Sequence, residues 1–254
     1  MTRATDLEIA YGPGGLADIL LPGGRVSIRG LCGTARSGTD GVVFLRQVHG
    51  AVILADPAGG EEADGMILTD DRRAPGLRVA DCLPVLILGK GYRAAFHAGW
   101  RGLAAEIPRR MTERLPAPPD WVVLGPCICP DCYRVGADVR LAVLDGLPPE
   151  GHPPGGLDLA KAALDGMLAA GLPAETPVLR VPECTRCRGD LFHSFRADGT
   201  TGRNLVWLTP LGGGDEVAPD PGGGHIPTSG NLAASSGNSC GTCNCTKPPA
   251  RRDR

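Results

Sequence analysis

The stretch Val79–Gly102, VADCLPVLILGKGYRAAFHAGWRG, holds two apolar runs, Pro84–Leu88 and Tyr92–Phe96, on either side of Gly89-Lys90-Gly91. Runs of that length around a Gly-rich triplet predict two antiparallel strands joined by a tight turn. Cys82 lies just ahead of the first run and His97 ends the second. Antiparallel pairing brings those two positions to the same end of the ladder. A thiol and an imidazole are therefore expected to meet there, and the rest of the chain can be searched for what completes a site.

Before the hairpin, Arg25–Leu31, Val42–Arg46 and Ala51–Ala55 read as strands, with Gln47–Gly50 as the turn between the last two and His49 in that turn. Glu61–Asp64 reads as an acidic loop, Gly65–Leu68 as a short strand and Thr69–Arg73 as a charged turn. After the hairpin, Leu103, Ile107, Met111 and Leu115 recur at helical spacing, but Pro108 requires the helix to start late or to kink. Trp121–Leu124 reads as a buried strand and Ala137–Leu147 as a helix. Asp158–Ala170 has the full set of helix signals: a capping Asp158, an apolar face of Ala160, Ala163, Leu164, Met167 and Leu168, and Gly171 as terminator. Thr176–Val181 and Asn204–Leu208 read as closing strands. Together these predict an α+β fold: a single domain of mixed β-sheets packed with helices over residues 25–210. The first 24 residues carry weak structure signals. Residues 211–254 have few aliphatics and many Gly, Pro, Ser and Asn, so they are expected to form a disordered tail.

Composition narrows the function classes. A net charge of −2 gives no electrostatic footprint for nucleic acid or an anionic membrane. No apolar run approaches the ~20 residues of a membrane span. The first residues, MTRATDLEIAYGPGG, lack the basic start and apolar core of an export signal, which points to the cytoplasm. In that reducing setting the ten cysteines are expected to be metal ligands or free thiols rather than disulfides.

Three constellations stand out. His49, Cys82 and His97 each adjoin a strand end or turn, and one thiolate with two imidazoles is a sound ligand set for zinc with an open fourth position. The plain alternative is a buried thiol and two hydrogen-bonded histidines. Cys129-x-x-Cys132 and Cys184-x-x-Cys187 form two pairs of the kind that hold a structural zinc, although their separation far exceeds that of a zinc ribbon. The tail carries a further triplet, Cys240, Cys243 and Cys245. Arg101, and Arg196 and Arg203 around Asp198-Gly199-Thr200-Thr201-Gly202, form a candidate anion or phosphate cradle. There is no G-x-S-x-G, Walker loop or dinucleotide fingerprint.

These residues also occur in a familiar order. Gln47-Val48-His49-Gly50, Ala63-Asp64-Gly65, Ala80-Asp81-Cys82-Leu83-Pro84, His97-Ala98-Gly99-Trp100-Arg101-Gly102, Gly125-Pro126, Cys132-Tyr133, Cys184-Thr185 and Asp198–Arg203 resemble the YfiH-type laccase-domain proteins over about Arg46 to Leu208. That resemblance implies a zinc-dependent purine nucleoside phosphorylase acting on adenosine, inosine and methylthioadenosine, with adenosine deaminase side activity. It implies that His49, Cys82 and His97 bind the zinc, and that the partners are a small nucleoside and phosphate. Departures are visible: Ser27-Ile28-Arg29-Gly30 only echoes the family's early Ser-Thr-Arg motif, Arg134 stands where many members have Glu, and Ala197 replaces an Arg. The alternatives are a metal-free cysteine hydrolase with Cys82 as nucleophile and His97 as base, a cell-wall precursor editing enzyme, a copper polyphenol oxidase, and a non-catalytic zinc-binding protein. Asp64, Asp81 and Asp198 are the acids nearest the motifs.

Overall fold

In the computed structural model, which describes residues 4–31, 38–148 and 150–211, the chain opens with β1 (Thr5–Asp6), β2 (Leu16–Leu21), β3 (Gly24–Arg29) and β4 (Val42–Phe44). It continues through β5 (Ile53–Ala55), β6 (Gly65–Leu68), β7 (Ala74–Val79), β8 (Leu83–Gly89) and β9 (Tyr92–Ala98). Then come α1 (Trp100–Ala104), α2 (Ile107–Arg114), β10 (Pro119–Leu124), α3 (Ala137–Leu144) and α4 (Leu159–Ala169). The last elements are β11 (Val178–Arg180), α5 (Phe195–Asp198) and β12 (Asn204–Pro210).

The expected hairpin is the centre of the molecule. β8 and β9 pair antiparallel, with Leu83 opposite Ala98 and Pro84 opposite His97, and every residue of both strands is buried. Successive side chains on a strand point to opposite faces, so the hairpin feeds two cores. Leu83, Val85, Ile87, Ala94 and Phe96 pack with Leu103, Ile107, Met111, Ala163 and Met167 from the helices. Leu86, Leu88 and Ala95 pack with Val26, Ile28, Leu77, Val79, Val206 and Leu208. The result is three layers: helices, a seven-stranded sheet in the order β1-β11-β10-β8-β9-β6-β5, and a five-stranded sheet in the order β2-β3-β12-β7-β4. Both sheets mix parallel and antiparallel neighbours. The mixed architecture read from the sequence is the one observed.

Several local expectations change. The opening segment, read as weakly structured, contributes β1 and β2, and β2 forms a hairpin with β3 in register from Leu16–Arg29 to Leu21–Gly24. β7, which was not expected as a strand, pairs with both β12 and β4. The helix expected around Leu103–Leu115 is two helices. Glu106 stands between them in the left-handed region (φ 60°), and Pro108 sits in the first turn of α2, where a missing N–H costs nothing. α4 forms as anticipated: Asp158 accepts a hydrogen bond from the Lys161 N–H at 3.0 Å, and Gly171 follows at φ 92°. Cys32 and the triplet Cys240, Cys243 and Cys245 lie outside the described residues, as does nearly all of the expected tail.

Candidate metal centre and cleft

The two ends of the hairpin deliver Cys82 and His97 as the pairing predicts, and the turn between β4 and β5 delivers His49. One ligand-capable atom from each lies within 4.8 Å of the others. The His49 and His97 rings meet edge to face, with centroids 4.8 Å apart.

Asp64 positions two of the three. It is fully buried; its Oδ1 accepts the His49 N–H at 2.9 Å and the His97 Nδ1–H at 2.8 Å. Oδ2 accepts the Gly50 N–H at 2.6 Å and the Val48 N–H at 3.2 Å. Three successive backbone N–H groups converge on one carboxylate because His49 adopts φ 62°, a left-handed turn that forms an anion nest. With its proton on Nδ1 and directed at Asp64, His97 keeps Nε2 as the ring nitrogen able to bind a metal. A carboxylate hydrogen-bonded to a metal-binding histidine commonly fixes its tautomer in this way. Burial opposes ionisation of Asp64, but the hydrogen bonds and the imidazole together hold its carboxyl below the usual range.

The same proximity sets the thiol. Burial pushes the Cys82 thiol up, but hydrogen bonds with His49 and His97 outweigh it and bring the thiol down to about 7. Burial pushes His97 down, while Asp64 and Cys82 raise it, with a net rise to about 9. Gln47 pins the turn from the other side: its amide accepts the Arg78 N–H at 2.9 Å and donates to the Arg78 carbonyl at 3.0 Å.

Two glycines of the His97–Gly102 motif make room for this cluster. A Cβ on Gly99 would lie 3.0 Å from Cys82 Sγ and 3.3 Å from His49 Cδ2. One on Gly102 would lie 2.9 Å from the Gly50 carbonyl oxygen. A tetrahedral ion bound at about 2.3 Å to sulfur and 2.0–2.1 Å to nitrogen needs its donors about 3.3–3.6 Å apart. The sulfur and two nitrogens could close to that spacing by small side-chain movements, so the residues present fit a metal ion.

The cluster lies in a cleft of about 600 Å³. Arg101, Arg196 and Arg203, the expected cations, all line it, together with Arg46 and Arg78, which the sequence reading did not single out. The Arg101 guanidinium lies 4.6 Å from the Trp100 ring centre and that of Arg196 5.0 Å from Tyr133. Arg203 donates to the Thr200 and Gly202 carbonyls, which holds the Gly/Thr loop at the rim. Phe195 also lines the cleft and is 60% exposed, an aromatic face whose only sequence signal is its place beside Arg196.

The three acids nearest the motifs all have hydrogen-bond partners. Asp64 holds the ligand turn. Asp81, at φ 85°, is buried, with Oδ1 accepting from the Thr185 hydroxyl at 2.7 Å and Oδ2 from the Arg196 N–H at 2.6 Å. Asp198 is exposed and accepts from the Thr200 N–H at 2.9 Å. The second cysteine group also assembles: Cys129, Cys132, Cys184 and Cys187 bring their sulfurs within 4.8 Å of one another, and Cys127 is not among them.

With this geometry in hand, likeness to known proteins is informative. The family described as multi-copper polyphenol oxidoreductase laccase matches residues 27–209. Purine nucleoside phosphorylase YlmD of Geobacillus stearothermophilus is 34% identical over 195 residues, spanning 65% of this chain and 71% of that protein. Adenosine deaminase RL5, from an unknown prokaryotic organism, is 32% identical over 201 residues, spanning 66% and 75%. The crystal structure of Neisseria meningitidis protein NMB0706 superposes with a TM-score of 0.67 at 26% identity, spanning 78% of this chain and 98% of that one. No helix among the described residues is long and apolar enough to cross a membrane. Motifs, fold and relatives agree, and the chain belongs to the multi-copper polyphenol oxidoreductase laccase family, the family of the YfiH and YlmD proteins.

Proposed function

We propose that this protein is a zinc-dependent purine nucleoside phosphorylase that also deaminates adenosine, with His49, Cys82 and His97 as the metal ligands. The observation that carries the reading is the convergence of a thiol and two imidazoles in a cleft that Arg101, Arg196 and Arg203 also line. Relatives named for both activities support it.

Zinc at this trio would supply a Lewis acid and a bound water of lowered pKa. The chain's own residues do the rest. Guanidiniums suit phosphate because their planar donors match its oxygens, so Arg101, Arg196 and Arg203 hold phosphate at the rim. Tyr133, Trp100 and Phe195 offer faces on which a purine stacks. In phosphorolysis a phosphate oxygen forms a bond to the ribose anomeric carbon. The carbon–nitrogen bond to the base breaks, and its electron pair leaves with the purine, which takes up a proton. In deamination water adds to the ring carbon bearing the amino group, and ammonia departs. Asp64 keeps His97 in one tautomer and orientation throughout.

Copper chemistry on phenols is the reading that the family description favours. A blue-copper site of two histidines and a cysteine takes a weak axial ligand such as Met. No methionine among the described residues lines this cleft; Met66, Met111 and Met167 are fully buried in the cores. A metal-free cysteine hydrolase remains chemically competent, since Cys82 lies beside His97. The discriminating assay incubates adenosine, inosine and methylthioadenosine with and without phosphate, alongside phenols and metal analysis. Phosphate-dependent release of the free base by a zinc-loaded protein is expected. Phenol oxidation by a copper-loaded protein, or hydrolysis by a metal-free one, would overturn the proposal.

A further inference from the structure

We infer that Cys129, Cys132, Cys184 and Cys187 form a second, structural zinc centre, a closed tetrathiolate that fastens the loop after β10 to the loop after β11. The inference is independent of the catalytic reading.

Topology explains how distant pairs meet. β10 and β11 are adjacent parallel strands, with Leu124 opposite Arg180, so their C-terminal ends release two loops side by side. The pairing continues as an isolated parallel bridge between Cys127 and Cys184. Each loop then makes a tight turn. The Cys132 and Tyr133 N–H groups both donate to the Cys129 carbonyl, at 3.0 and 2.9 Å, and the Arg188 N–H donates to the Cys184 carbonyl at 2.9 Å. These turns aim both thiols of each pair at the other pair.

The sulfurs are spaced for a metal and not for a disulfide. Cys132 Sγ and Cys187 Sγ are 3.4 Å apart, against about 2.05 Å for a disulfide. Tetrahedral zinc with bonds of about 2.3 Å places sulfurs about 3.8 Å apart. The Cys129 N–H points at Cys184 Sγ at 3.2 Å, a donor that offsets the surplus negative charge of a tetrathiolate. Cys129, Cys132 and Cys184 are buried and Cys187 is exposed. With sulfur at all four positions no site is left for water or substrate, which is the mark of a structural centre. Soft thiolate donors in a tetrahedral array select zinc over the oxygen-loving cations.

Both loops abut the cleft. Tyr133 follows Cys132 directly and stacks under Arg196, and Thr185 follows Cys184 and hydrogen-bonds Asp81, the neighbour of Cys82. The tetrathiolate therefore braces the wall on which Tyr133 and Arg196 stand.

The test is metal stoichiometry of the full chain by elemental analysis. Wild-type protein is expected to hold two zinc ions per chain, and both Cys82→Ala/His97→Ala and Cys132→Ser/Cys187→Ser variants one each. Equal zinc in wild type and the Cys132→Ser/Cys187→Ser variant would overturn the inference. Should that variant fail to fold, cobalt loading of Cys82→Ala/His97→Ala protein decides. Intense thiolate-to-cobalt absorption with tetrahedral visible bands is expected. Its absence, or thiol titration showing these cysteines paired as disulfides, would contradict the centre. If the trio held no zinc, the one-ion difference between wild type and the Cys132→Ser/Cys187→Ser variant would persist, so the two proposals fail separately.

Discussion

Asp64 organises the candidate centre, because one buried carboxylate holds three N–H groups of the 48–50 turn and the His97 ring. Replacing it by Asn keeps the shape but turns one acceptor into a donor that faces N–H groups. Asp64→Asn is expected to weaken metal binding by roughly 10–100-fold, as loss of a ligand's orienting partner does, read by competition with a chelator. Unchanged affinity would show that the ligands position themselves. Gly99 tests the same geometry from the other side. Its backbone, φ −83° and ψ 168°, is open to any residue, so Gly99→Ala leaves the fold unstrained while its methyl crowds Cys82 and His49. Metal affinity is expected to fall about tenfold or more, with a melting temperature close to wild type for the metal-free protein. At this scale the sequence exposed the ligands better than their supports. Cys82 and His97 could be read from hairpin pairing and His49 from its turn. Asp64 could not be assigned its role, since its partners lie 14 to 33 residues away and only the folded chain joins them.

Among the elements, regular periodicity was legible and edges were not. The β8–β9 hairpin and α4 carry unbroken apolar patterns with clear punctuation, and both form where expected. β7 escaped notice because Pro75, Gly76 and Arg78 interrupt its apolar run. The sheet nevertheless accommodates Gly76 because Val42 and Phe44 pack where its side chain would be. β2 escaped because its pairing with β3, rather than its own pattern, makes it a strand. The Cys129–Cys132 and Cys184–Cys187 pairs lie much farther apart in sequence than those of a zinc ribbon, and parallel pairing of β10 with β11 spans that separation. The turn between β6 and β7 offers a test of electrostatics. Asp70 Oδ1 accepts the Arg72 and Arg73 N–H groups, and Oδ2 accepts from Arg73 Nε at 2.7 Å. Burial opposes its ionisation, but these donors hold its carboxyl below the ordinary range. A depressed carboxylate contributes stability above its unfolded pKa, and that contribution fades as pH falls through the folded value. Asp70→Asn is therefore expected to lower the urea midpoint at pH 7 by the equivalent of about 1 kcal/mol, with the gap to wild type closing in acid. A gap that widens in acid would contradict the assignment.

For the molecule as a whole, the central hairpin faces helices on one side and the second sheet on the other, so its loss should be felt everywhere. Phe96 is fully buried in the helix-side core one residue before His97. Phe96→Ala is expected to cost about 3–5 kcal/mol and to shift a single cooperative transition seen alike by fluorescence and circular dichroism. Two separated transitions would mean that the layers fold independently. The same hairpin holds two of the three proposed ligands, which makes the fold and the site one construction. The most direct measurement compares wild type and Cys82→Ala for zinc content and for phosphate-dependent release of purine from inosine in the same preparations. Wild type is expected to carry zinc at the trio and release base only with phosphate, and Cys82→Ala to lose one zinc ion per chain together with that activity. Full phosphorolysis by Cys82→Ala protein lacking that zinc would contradict the account.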